Sequence, residues 1–278
     1  MKDLVAELEG IACDAGRLIA DIRARGVEVL AKGDGSPVTE ADERGEALIL
    51  ERLAQAFPDI PVVAEELASS EGMPEGVSGR FFLVDPLDGT KEFIKGTPDY
   101  TVNIALIEGG RPVAGVVVAP GRNELYSGWE QGAERASVPP SGAPRDRCTI
   151  RVREPGAAWS AVVSVSHMTE ATRAFLDPLP IGERVSVGSS LKFCLVAAGE
   201  ADIYPRLGRT MQWDTAAGDA VLRAAGGSTA TQEGSELIYG PRQGLPENRF
   251  ENPHFIAFGG PLEQLQALIV KGAGALQD

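Results

Sequence analysis

Leu4, Leu8, Ile11, Ala15, Leu18, Ile19 and Ile22 recur at helical spacing, so residues 2–25 are predicted to form an amphipathic helix. A loop rich in Gly, Asp, Ser and Pro follows at 32–37. Thr39 is the expected N-cap of a second helix running to about residue 57, with an apolar stripe of Ala47, Leu48, Leu50, Leu53 and Ala54. Pro58 and Pro61 stop it. The period then changes: residues 60–64 form a short apolar run ending at Glu65-Glu66, and after a loop at 68–79 the run Phe81-Phe82-Leu83-Val84 reads as a buried strand. Residues 101–107 and 112–118 are predicted as paired strands joined at Glu108-Gly109-Gly110, with a further strand at 123–129.

Residues 136–147 carry three prolines and read as a loop that opens a boundary. Beyond them, short strands at 161–165, 184–187 and 201–204 alternate with helices at 169–176, 189–198 and 213–225, the signature of a layered α/β arrangement. The pattern divides the chain into an N-terminal α+β half, 1–150, and a C-terminal α/β half, 151–278. It contains no internal repeat.

Composition narrows the function classes. The 278 residues are 43% hydrophobic, enough for a large core. The net charge of −14 argues against binding to nucleic acid polymers. It leaves room for a small polyanion whose site is neutralised locally. Cys13, Cys148 and Cys194 are scattered without a CxxC pair, which points to reduced thiols and a cytoplasmic protein. The first ten residues lack an apolar signal segment, and no run is long enough to span a membrane. With only His167 and His254, a histidine-based zinc site is not expected.

The stretch 81–90 holds the strongest chemical signal. A buried strand delivers Asp85 and Asp88 to a turn, Gly89-Thr90, that opens toward a helix start at Lys91-Glu92-Phe93. Two carboxylates suit a hard cation such as Mg²⁺, and free backbone N–H groups of Gly89 and Thr90 suit an anion. Three further acidic residues fall at element ends: Asp42 at a helix start, Glu65 at a strand end, and Asp214 at another helix start. Taken singly, each has a structural explanation as a helix-dipole partner or a solvated strand end.

Taken in order, Val38-Thr39-x-x-Asp42, Ala64-Glu65-Glu66, Asp85-Pro86-Leu87-Asp88-Gly89-Thr90 and Trp213-Asp214-x-x-Ala217-Gly218-Asp219 resemble the signatures of the Mg²⁺-dependent, lithium-sensitive inositol monophosphatase superfamily. The resemblance spans 32 to about 227. Within it the chain looks most like the 3′(2′),5′-bisphosphate nucleotidases of the CysQ type. Lys91-Glu92-Phe93-Ile94 follows Asp-Gly-Thr where inositol monophosphatases usually have Thr-Asn-Phe. The stretches Gly188-Ser189-Ser190-Leu191-Lys192-Phe193-Cys194 and Ala201-Asp202-Ile203-Tyr204-Pro205-Arg206 resemble the nucleotide-binding half of those enzymes.

The resemblance implies an α+β sugar-phosphatase fold of alternating helix and sheet layers, with the site between the two halves. It implies a phosphoric monoester hydrolase that removes the 3′-phosphate of adenosine 3′,5′-bisphosphate in sulfur metabolism. Glu65, Asp85, Asp88, Asp214 and the Leu87 carbonyl would hold Mg²⁺, and Asp42 with Thr90 would orient and deprotonate the attacking water. Gly89 and Thr90 would hold the scissile phosphate, with Glu65 and Asp214 also facing the substrate. Lys192 and Arg206 would meet the second phosphate, and Ser189 with His167 would line the nucleotide pocket. Outside the resemblance, Lys192 and Arg206 read as solvated surface charges and Cys194 as a buried helix residue. Peripheral contact with the cytoplasmic face of the inner membrane is compatible with this reading, as is a role for Lys32 at the phosphate. An inositol or sugar monophosphatase, or a non-catalytic metal- or nucleotide-binding module, are the alternatives on the same scaffold.

Overall fold

A computed structural model describes the chain except for residues 32–36, 73, 75, 165–167, 243–248 and 275–278. Lys32 and His167 therefore lie outside the described residues.

The amphipathic N-terminal pattern forms α1 (Lys2–Arg25), whose Val5, Leu8, Ile11, Ala15, Ile19 and Ile22 are buried. A two-stranded ribbon, β1 (Val29–Ala31) and β2 (Pro37–Thr39), leads into α2 (Glu40–Ala56). Thr39 caps α2 as the sequence predicts: its hydroxyl accepts from the Ala41 N–H, and Asp42 accepts from the Thr39 N–H. The buried face of α2 differs from the expected stripe. Ala47 and Ala54 are exposed, and the inward face is Ala41, Asp42, Gly45, Glu46, Ile49 and Leu53. Two carboxylates on that face have polar work to do, which an apolar-stripe reading does not detect.

A seven-stranded sheet follows, in the order β3 (Val62–Ala64), β4 (Arg80–Asp88), β5 (Thr101–Glu108), β6 (Arg111–Ala119), β7 (Glu124–Trp129), β8 (Gly132–Ser137) and β9 (Arg145–Ile150). Its strands pair antiparallel except β3 with β4. Gly109 and Gly110, both at positive φ, make the predicted hairpin turn. Two short helices interrupt the early strands, α3 (Glu65–Glu71) and α4 (Thr90–Lys95). The loop expected at 136–147 is shorter, because β8 and β9 extend the first sheet to Ile150; their mixed charged and apolar residues hide the strand period.

The second sheet has five strands in the order β11 (Ile181–Val187), β10 (Trp159–Ser164), β12 (Ile203–Arg206), β14 (Phe255–Phe258) and β13 (Ser228–Thr231). Its helices are α5 (Glu170–Leu176), α6 (Leu191–Ala197), α7 (Ala216–Ala224) and α8 (Leu262–Gly274). The layers run α1/α2, seven-stranded sheet, α6/α7, five-stranded sheet, α5/α8, as three apolar clusters show. The largest cluster joins Phe81, Leu83 and Tyr126 of the first sheet to Phe193 of α6, Val221 of α7 and Tyr204 and Phe255 of the second. Among the described residues no helix is long and apolar enough to cross a membrane.

Two glycines let α7 lie directly on the first sheet. A Cβ on Gly115 would fall 2.4 Å from the Ala217 carbonyl oxygen, and one on Gly128 would fall 2.5 Å from the Val221 Cα. At that separation helix backbone meets strand backbone, and no side chain fits between them. The start of α7, beside Asp214, is thereby tied to the sheet that carries Asp85 and Asp88.

Candidate active site

A cleft of about 270 Å³ opens between the two sheets. Its walls include Glu65, Asp85, Leu87, Asp88, Gly89, Thr90, Ser189, Lys192, Arg206 and Asp214, so the structure brings nearly all the expected residues to one place. Asp42 stands one residue behind the wall, against Thr90.

The carboxylates converge because β4 is irregular. Asp85 pairs with Asn103 and Asp88 with Thr101, so three steps along β4 match two along β5. On a regular strand residues three apart face opposite sides; the extra residue turns both aspartates to the same cleft. Backbone N–H groups then fix each one. Leu87 N–H donates to Asp85 Oδ1 at 2.9 Å, Met211 N–H donates to Asp214 Oδ2 at 2.9 Å, and Ser190 N–H donates to Asp88.

Glu65 is the first residue of α3 and not a strand end. It is placed by Glu46, whose two carboxylate oxygens accept from the N–H groups of Glu66 (2.8 Å) and Leu67 (2.7 Å). Glu46 thus caps α3 from outside. The sequence signal for it is a glutamate four residues after Asp42, on the same helix face.

One carboxylate oxygen from each of Glu65, Asp85 and Asp214 lies within 4.8 Å of the others. Burial raises the Asp85 carboxyl well above its ordinary range, and the charges of Glu65, Asp88 and Asp214 add to the effect. Asp214 is raised in the same way, by burial and then by Asp88 and Glu65. Burial pushes Asp88 up to about 6 against the pull of Lys192. Such a cluster of desolvated like charges is complete only with a cation, and an all-oxygen donor set fits a hard divalent ion.

Asp42 divides its two oxygens. Oδ2 accepts from the Thr39 N–H and the Thr39 hydroxyl, each at 2.7 Å, and Oδ1 accepts from the Thr90 hydroxyl at 3.1 Å. The same hydroxyl lies 3.2 Å from the Leu87 carbonyl oxygen. Burial raises the Asp42 carboxyl, while the bonds from Thr39 and Thr90 draw it back.

The opposite wall is basic. Lys192 and Arg206, which composition alone would leave in solvent, are 6% and 9% exposed. Lys192 donates to the carbonyls of Ser189 and Val187 and sits 5.4 Å from the centre of the Tyr204 ring. Burial lowers its ammonium to about 8, partly offset by Asp88. Arg206 donates through Nη2 to the Arg209 carbonyl at 2.6 Å, but its buried Nε has no partner in the protein. A buried guanidinium N–H without an acceptor in the protein is open to one from outside it. Phe193 and Tyr204 line the cleft with ring centres 5.3 Å apart, and Phe255 packs against both at 5.6 to 5.7 Å. Cys194, beside Lys192 in sequence, is fully buried, and burial raises its thiol, so it serves as packing.

Residues the sequence reading missed also shape the cleft: Glu92, Ser164, Tyr204, Thr210 and Thr215 line it. Ser190 joins the walls, its hydroxyl lying 2.9 Å from Thr101 Oγ1 and donating to Asn103 Oδ1 at 2.6 Å. Asn103 of β5 thus reaches the second wall of the cleft.

The sequence profile described as the inositol monophosphatase family matches residues 1–258. The chain is 42% identical over 257 residues to the 3′(2′),5′-bisphosphate nucleotidase CysQ of Escherichia coli K12, covering 92% of this chain and 98% of that one. The crystal structure of CysQ from Bacteroides thetaiotaomicron, a bacterial member of the inositol monophosphatase family, superposes with a TM-score of 0.74 at 32% identity, covering 94% and 98% of the two chains. An IMPase from Thermotoga maritima superposes with a TM-score of 0.75 at 25% identity over 99% of each chain. The layers, the ordered acidic motifs and these likenesses agree, and the chain belongs to the inositol monophosphatase family.

Proposed function

We propose that this protein is a Mg²⁺-dependent cytoplasmic phosphomonoesterase that hydrolyses the 3′-phosphate of adenosine 3′,5′-bisphosphate to AMP and phosphate. The observation that carries the reading is one cleft with two unlike walls: an acidic cluster on one side, and on the other the buried cations Lys192 and Arg206, the latter with an unsatisfied N–H. A monoester substrate needs only the first wall; a second phosphate explains the other. The relatives named bisphosphate nucleotidase support the same substrate class.

Glu65, Asp85, Asp88, Asp214 and the Leu87 carbonyl would hold the metal. When bound, Mg²⁺ supplies Lewis-acid polarisation of the phosphoryl oxygens and acidifies water. The protein's own share is positioning and proton transfer. Gly89 and Thr90 present backbone N–H groups to the scissile phosphate, with Gly89 at φ 91°, a conformation glycine adopts freely. Glu65 and Asp214 face the same group. Thr90 Oγ1 accepts a proton from the attacking water as it passes its own to Asp42 Oδ1. Lys192 and the Arg206 Nε hold the second phosphate, and Ser189 lines the nucleotide side. Phosphoryl transfer places most of its demand on such charge placement, since charge spreads over the phosphoryl oxygens in the transition state.

The test is phosphate release with Mg²⁺, comparing adenosine 3′,5′-bisphosphate with inositol 1-phosphate at equal concentration. Strong preference for the nucleotide supports the reading. The reverse preference keeps the acidic wall and makes the enzyme an inositol phosphatase; no release from either would make the cleft a binding site only.

A further inference from the structure

The segment between α4 and β5, residues 97–100, is gripped from three sides. Arg23 of α1 donates to the Thr97 carbonyl at 2.9 Å and lies 5.0 Å from the Tyr100 ring centre. The Pro98 backbone passes so close to Gly121 that a Cβ there would fall 2.6 Å from its carbonyl oxygen. Arg122 aims both Nε (2.9 Å) and Nη2 (2.6 Å) at one oxygen of Asp99.

The Asp99 carbonyl, held this way, meets both ends of the cleft. A Cβ on Gly89 would fall 2.9 Å from that oxygen, and one on Gly188 would fall 2.7 Å from it. Gly89 begins the turn that presents N–H groups to the scissile phosphate. Gly188 begins the turn that runs through Ser189, at φ 51°, to Ser190 and Lys192. One peptide carbonyl is thus wedged between two turns on opposite walls. Two and four residues further on, Thr101 and Asn103 hold the Ser190 hydroxyl, so the same stretch of chain both spaces and binds the second turn.

We propose that Asp99 and Arg122 are a positioning pair: through the 97–100 strut they fix the separation of the Gly89 and Gly188–Ser190 turns and so select a substrate with two phosphates. Neither residue is among those lining the cleft, and neither lies in a motif that sequence reading identifies. The pair is partly exposed, 16% for Asp99 and 29% for Arg122, so its direct effect on stability is small. Its effect on spacing is not, because misplacing a bound group by about 1 Å can cost about a hundredfold in rate. The inference rests on the bisphosphate reading.

The experiment is steady-state kinetics of the full chain with Mg²⁺ on adenosine 3′,5′-bisphosphate and on adenosine 3′-monophosphate, which keeps the scissile phosphate and lacks the second. Asp99→Asn and Arg122→Gln should each raise KM for the bisphosphate about tenfold, leave both constants for the monophosphate within about twofold, and cost no more when combined than the worse single change. Arg122→Lys should recover most of the loss. Parallel losses on both substrates, or an unchanged preference, would overturn the positioning role while leaving the substrate assignment intact. A wild-type enzyme with no preference for the bisphosphate would overturn both. If Arg122→Gln does not fold, the near-isosteric Asp99→Asn and the charge-keeping Arg122→Lys decide the question.

Discussion

The Thr90 hydroxyl donates to Asp42 Oδ1 at 3.1 Å, and the other Asp42 oxygen is held by Thr39 through two bonds of 2.7 Å. The side chain that caps the helix and the one that accepts the Thr90 hydrogen bond are therefore the same. An amide offers one acceptor oxygen where the carboxylate offers two. We expect Asp42→Asn to lower kcat by about 10²–10⁴ with little change in KM. Thr39→Ala should cost about 1 kcal/mol in stability from the lost cap and also lower kcat, since Asp42 is then free to turn. Equilibrium unfolding together with steady-state kinetics checks both; a Thr39→Ala enzyme with full kcat would separate the cap from the chemistry.

The acidic wall should make stability depend on metal. Binding to the folded state alone adds about 2.7 kcal/mol at a metal concentration of about 100 Kd. Wild-type protein should therefore melt at a higher temperature in Mg²⁺ than in chelator. In Asp85→Asn the Mg²⁺ response should largely disappear, yet the variant in chelator should be at least as stable as wild type. It loses one of several mutually repelling buried charges and keeps an oxygen for the Leu87 N–H. Thermal melts with and without chelator read both effects.

Lys192 sets a pH dependence. Burial lowers its ammonium from 10.5 to about 8, so above about pH 8 the free enzyme loses this charge. The basic limb of kcat/KM for adenosine 3′,5′-bisphosphate should fall through about pH 8, while adenosine 3′-monophosphate shows no limb from this group. Lys192→Arg should move the limb to higher pH, and Lys192→Met should abolish it at the cost of a raised KM. The stability sign is opposite. Between about 8 and 10.5 the unfolded chain binds more protons at this position than the folded one, so this lysine makes stability rise with pH there, a slope that Lys192→Met removes.

The acidic motifs are legible because Asp42, Glu65, Asp88 and Asp214 stand at or beside element ends, and periodicity locates element ends. The strand period could not show that β4 gains a residue between Asp85 and Asp88, although that irregularity is what turns both aspartates to one side. Glu46 is not legible in the sequence, because a glutamate on a helix looks like a surface residue until the N–H groups of Glu66 and Leu67 are placed above it. Lys192 and Arg206 carry no local signal of burial; their environment comes from β12, α6 and the first sheet together. Asp99 and Arg122, 23 positions apart, meet only through tertiary structure.

The close approach of α7 to the first sheet gives the last expectation. Asp214 precedes α7 by two residues, and its Oδ2 is tied to the Met211 N–H, so its position follows the start of that helix. In Gly115→Ala the added methyl would lie 2.4 Å from the Ala217 carbonyl oxygen and 2.6 Å from the Ala220 Cβ. Neither is the flexible end of a long side chain, so the helix itself has to move. Overpacking of this kind costs about 1–3 kcal/mol. Because the helix that moves carries the Asp214 end of the acidic cluster, we expect Gly115→Ala to weaken the Mg²⁺ dependence of activity as well as stability. Gly109→Ala, at the exposed hairpin tip of the same strand pair, is the control: its positive φ costs stability, but a Cβ there meets nothing within 4 Å. Equal shifts in the activating Mg²⁺ concentration for the two variants would show that the α7 contact does not transmit to Asp214.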